Sequence, residues 1–147
     1  MSIRVPILTL LAVISLAPFV CADEALDQQI ARAEAAPPGE RPALYIRIAR
    51  QQADAADKLY QAGDPEAGNR ALNDVVTYAG KASDAAATTG KRLKDTEIAV
   101  RKMAEKFRDV KRTLPFEDQA PVQEAIDRLE KMRTDLLSVM FPKKGKK

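Results

Sequence analysis

The chain has 147 residues, with 24 Lys and Arg against 21 Asp and Glu for a formal net charge of +3. It contains no histidine, no tryptophan and one cysteine, Cys21. Without histidine there is no imidazole base, no Ser–His or Cys–His nucleophile and no imidazole metal ligand. With a single cysteine, thiolate zinc sites and iron–sulfur clusters lack their ligands.

Residues 1–22 read as an export leader. Arg4 supplies the positive start, Pro6 to Val20 the apolar stretch, and Val20-Cys21-Ala22 the small-x-small cleavage pattern. The apolar stretch falls short of the roughly 20 residues a membrane span needs. Cleavage between Ala22 and Asp23 is therefore expected, leaving Asp23 as the mature N-terminus of a periplasmic or secreted protein. The alternative is a lipoprotein acylated at Cys21, which the bulky Phe19 and Val20 beside that site disfavour. A domain is expected over 23–142, followed by a flexible basic tail at 143–147.

Every element of the expected domain is helical. Residues 23–36 place Leu26, Ile30 and Ala33 on one stripe. "PPGERP" (37–42) breaks the chain, with Pro42 suited to the first turn of the next helix. Residues 43–62 carry two adjacent stripes. One holds Tyr45, Ile48, Ala55 and Leu59; the other holds Ile46, Ala49, Ala53, Ala56 and Tyr60. So wide an apolar face implies more than one neighbour. In "GDPEAG" (63–68), Gly63 can close that helix, Asp64 cap the next, and Pro65 occupy its first turn.

Beyond Pro65, apolar or small residues recur at alternating steps of three and four from Leu72 to Leu114, the period of a coiled-coil seam. The phase survives Gly90, which favours one long helix over about 65–114, continuous or kinked near 88–90. A turn at "TTG" (88–90) is the alternative and would give helices of similar length. Pro115 ends this segment, and residues 120–141 form the last helix with Val122, Ile126, Leu129, Met132, Leu136 and Met140 inward. No segment alternates as a strand does. The expected fold is all-α, an antiparallel bundle of four to five helices.

"ADKLYQAGDPEAGNRALNDVV" (56–76) resembles one tetratricopeptide-type helix pair. Ala56 and Leu59 fall on packing positions of its first helix, Gly63-Asp64 on its turn, and Gly68 and Leu72 on its second helix. It has no second copy, whereas such arrays stack repeats to bury their core. The chain as a whole is similar to small exported helical proteins of environmental bacteria, a likeness that implies no mechanism.

Charge is unevenly spread. Residues 23–80 carry 6 basic and 10 acidic side chains, 81–112 carry 10 and 5, and 113–142 carry 3 and 6. The basic stretch 91–112 offers Lys91, Arg92, Lys94, Arg101, Lys102, Lys106, Arg108, Lys111 and Arg112 as anion contacts. It could equally neutralise the acidic segments on either side within the fold. Asp54/Lys58, Glu66/Arg70, Glu97/Arg101, Glu124/Arg128 and Asp127/Lys131 are acid-then-base pairs at i, i+4, which support exposed helix faces. Tyr45, Tyr60, Tyr78, Phe107, Met132 and Met140 could line a groove, but their helical spacing favours core.

These features leave no catalytic, cofactor or metal residue to assign, and no enzyme is expected. The expected role is an exported helical protein-interaction or scaffold module of the cell envelope, acting through a protein partner or self-association. The alternative is attachment to an anionic lipid or polymer surface through 91–112 and the lysine tail. Nucleic acid is not an expected partner.

Overall fold

The computed structural model describes residues 20–143, with side chains from Ala25 onward. The leader up to Phe19 and tail residues 144–147 lie outside the described residues, as do the side chains at the expected Ala22–Asp23 cleavage site. Five α-helices follow in order: α1 (Val20–Ala35), α2 (Arg41–Gln61), α3 (Pro65–Thr89), α4 (Leu93–Thr113) and α5 (Gln119–Met140). A 3-10 turn, Phe116–Asp118, precedes α5, and no strand is present among the described residues. The all-α bundle expected from the sequence is what the chain forms.

Turn chemistry sets the helix ends. Pro42 sits in the first turn of α2, where its missing N–H leaves no intrahelical bond unmade. Gly63 takes a left-handed φ of 77°, and the Asp64 carboxylate accepts from the Ala67 N–H at 3.0 Å. Pro65 then opens α3. Gly68, one turn further, lets the Tyr60 ring lie against the α3 backbone; a Cβ there would meet Tyr60 Cε1 at 2.8 Å.

The expected long helix over 65–114 is not formed. α3 stops at Thr89, and Gly90 adopts φ 68° while its N–H bonds to the Ala86 carbonyl. Arg92 is also left-handed, at φ 60°. Two left-handed residues in three end a right-handed helix and turn the chain back. The apolar phase misleads here because residues 90–92 take up nearly one 3.6-residue period. The pattern resumes in step although the chain has reversed.

α2 and α3 form the most extensive pair. Ala49, Ala53, Ala56, Ala71, Ala79, Ala82 and Ala86 are all buried, and such small side chains allow close helix approach. α4 packs on α5 through Val100, Met103, Phe107, Val122, Ile126 and Leu129, all buried. α2 also meets α4, and α3 meets α5, so α3 and α4 face each other across the core. Burying Phe107 completely contributes roughly 2–3 kcal/mol.

α1 lies outside this four-helix arrangement, against α2, with Ala33 fully buried and Leu26 and Ile30 half-buried. Lys81 holds the corner. Its Nζ is 3.4 Å from Glu34 Oε1 of α1, and 5.6 and 5.5 Å from the ring centroids of Tyr45 and Tyr78. Those rings stack with centroids 6.3 Å apart.

Candidate functional site

Of the nine basic residues of 91–112, five are ion-paired with acids of α2, α4 or α5 among the described residues. Lys106 donates to Asp54 of α2 at 2.6 Å and lies 3.5 Å from Asp57. Arg108 reaches Glu130 of α5 at 2.7 Å, and Lys111 donates to Gln123 Oε1 at 2.6 Å. Arg112 pairs with Asp109 at 3.0 Å, Arg92 with Asp95 at 3.6 Å, and Arg101 with Glu105 at 3.4 Å. Lys91 is exposed, with its methylenes lying over Gly39. Lys94 and Lys102 are exposed and have no ion-pair partner among the described residues. The acids that answer this charge belong to α2, α4 and α5, and the pairs lie at partly or largely exposed positions.

The Lys106 contact shifts its titration. The hydrogen bond to Asp54, with the charges of Asp54 and Asp57, pushes the ammonium pKa above its ordinary value against an opposing effect of burial. Arg108, Lys111 and Arg112 do converge, with Gln119, Gln123 and Ile126, around a cleft of about 470 Å³ between α4 and α5. Arg92 and Lys94 fall at the other end of α4, beside Met140 and Phe141.

Several acidic residues are not where helical spacing places them. Glu66–Arg70 forms the expected i, i+4 pair at 3.3 Å. Asp54, by contrast, binds Lys106, and Asp127 accepts from Gln123. Glu97 does pair with Arg101, at 3.8 Å, but it is buried rather than on a solvated face, and its closer partner is Arg133 of α5 at 2.9 Å. The aromatic residues are mostly core: Tyr45, Tyr60 and Phe107 are buried, and Tyr78 is half-buried. Tyr60 donates its hydroxyl to Asn69 Oδ1 at 2.7 Å, and burial, helped by the Asp118 charge, pushes its pKa up to about 12.

Two surfaces escaped helical-period reasoning. At the α2–α4 end of the bundle, Tyr60, Val110, Leu114 and Pro115 line an open cleft of about 700 Å³ that Asp57, Lys106 and Asp109 border. Next to it in the chain, Phe116 is 88 % exposed. The second surface is a groove of about 450 Å³ between α1 and α2, lined by Gln29, Arg32, Leu44, Arg47, Ile48, Gln51 and Asp54. Here Gln29 Oε1 is shut off from solvent with no hydrogen-bond donor. Such an orphaned acceptor costs about 1–3 kcal/mol. Neither Arg32 nor Arg47 has an ion-pair or hydrogen-bond partner among the described residues.

Among the described residues no group of three or more His, Cys, Asp or Glu side chains could hold a metal ion, and no helix is long and apolar enough to cross a membrane. Comparison with protein-family models, curated proteins and solved structures finds no match to this chain.

Proposed function

We propose that the protein is an exported, non-enzymatic helical module that works by binding another protein. Export rests on the sequence of residues 1–22, with its basic start, apolar stretch and small-x-small end. Binding rests on one observation above all. The run Leu114-Pro115-Phe116 leaves the bundle at the α4–α5 connection with Phe116 88 % exposed, beside a cleft that Leu114, Pro115 and Val110 line. Aromatic residues are the usual anchors of protein interfaces, and an open cleft of mixed apolar and charged lining beside one is a natural place for a partner side chain.

The test is a photo-crosslinking residue at position 116 in cells, followed by mass spectrometry. A discrete adduct with one protein, absent when the crosslinker stands at exposed Lys102, is the expected result. No adduct, together with a monomer at high concentration, would reject the reading.

A second reading, contact with an anionic lipid or polymer, draws on Arg108, Lys111 and Arg112 around one cleft. It requires liposome binding that weakens as salt rises and falls further in R108Q/K111Q.

A further inference from the structure

The geometry points to the α1–α2 groove as a binding site for a carboxylate with an adjacent amide N–H, the chemistry of a peptide C-terminus. Three features of the groove argue for this ligand, and none involves the Phe116 end of the bundle.

First, Arg32 and Arg47 line one groove from two helices, and no acid answers either among the described residues. This contrasts with α4, where the arginines find carboxylates. The groove's one acid, Asp54, is already held by Lys106 of α4 at 2.6 Å. The groove therefore presents net positive charge, and guanidinium groups match carboxylates in planar, two-bond geometry.

Second, Gln29 lines the same groove, and its amide oxygen is shut off from solvent without a donor. A rotamer change that turns this oxygen into the groove would let an incoming N–H satisfy it. An anion without an N–H, such as inorganic phosphate, meets the arginines but brings no amide donor. Third, Leu44 and the buried Ile48 give the groove an apolar wall, and about 450 Å³ accommodates a terminal residue with a small aliphatic side chain.

Residues 1–19 and 144–147 supply no acidic side chain to the groove, and both carry basic residues that Arg32 and Arg47 would repel.

The test is calorimetric titration of the purified full chain with N-acetyl-alanine, acetyl-tetra-alanine with a free C-terminus, its C-terminal amide, and inorganic phosphate. The free-acid peptide is expected to bind at least tenfold more tightly than its amide and than phosphate. Equal binding by N-acetyl-alanine supports the site with a small acyl amino acid as its source; binding by the peptide alone supports it with a protein tail. R47Q and R32Q, at exposed positions without partners, should each weaken binding about tenfold and leave the melting temperature unchanged. Q29L should weaken binding while melting no lower than the parent, because it removes an unpaired acceptor. F116A should leave this affinity intact, so failure here and failure of the Phe116 contact are separable. Absence of binding by any probe, equal affinity for acid and amide, or parental affinity in R32Q/R47Q would overturn the assignment. Displacement by phosphate at equal affinity, or full affinity in Q29L, would overturn the amide requirement.

Discussion

Lys106 Nζ lies 2.6 Å from Asp54 Oδ1, a bond between α4 and α2 across 52 residues of chain. Asp54 is largely exposed, so screening limits the pair to about 0.5–1 kcal/mol. D54N should lower the melting temperature by about 2–5 °C at neutral pH. Because folding raises the Lys106 pKa above its ordinary 10.5, the pair's contribution is fully present below that value and is lost as pH rises through the folded one. Melts of parent and D54N should therefore differ from pH 7 to 9 and converge in strong alkali. A gap that persists at high pH would mean that Asp54 stabilises by another route.

Tyr60 gives the protein a second alkaline sensitivity. Its pKa rises from 10.0 to about 12 on folding, so the folded state holds this proton where the unfolded chain releases it. Stability should fall as pH climbs between those values, by up to about 2 kcal/mol. Y60F removes the titrating group and also the hydrogen bond to Asn69, at a cost near 1 kcal/mol at neutral pH. Denaturant melts at pH 8 and pH 11.5 check this: Y60F should start lower and lose less. Equal losses in both proteins would remove Tyr60 as the cause.

The stretch 63–65 was legible from sequence because its information is local. Gly63, Asp64 and Pro65 each act on backbone within four residues, and each does what its chemistry dictates. Gly90 was not legible, because the pattern around it serves two helices in phase and only backbone dihedrals distinguish turn from kink. The surfaces were less legible still. Asp54 has Lys58 one helical turn away and binds Lys106 instead, since a pair between helices depends on how they are placed together. The groove of Gln29, Arg32 and Arg47 exists only once α1 packs on α2, and neither helix alone carries a sign of it.

The α3–α4 turn permits a paired backbone test. Gly90 at φ 68° tolerates no side chain without strain, so G90A should destabilise by about 1 kcal/mol. Arg92 at φ 60° already bears that strain, and its bond to Asp95 is exposed and long at 3.6 Å. R92G should therefore be neutral or stabilising, by up to about 1 kcal/mol. Loss of stability in G90A with none in R92G is the expected outcome in urea melts. Loss of stability in both variants would mean that the Arg92 side chain contributes more than its backbone costs.

Glu97 and Arg133 should respond unequally to mutation, because their surroundings differ. Glu97 has a side chain only 11 % exposed and accepts from Arg133 Nε at 2.9 Å, with Arg101 a weaker second partner at 3.8 Å. Arg133 is 36 % exposed and has Glu130 within 3.5 Å as another partner. R133M therefore strands a buried carboxylate, whereas E97M frees an arginine that can turn to Glu130 or to water. Breaking a buried pair at its charged survivor is the costly direction. R133M should destabilise clearly more than E97M. The double variant should lie closer to E97M than to the sum, since removing both partners leaves no charge stranded. Urea melts of the four proteins measure the cycle, and an additive result would show that Arg133 and Glu97 stabilise the α4–α5 packing independently.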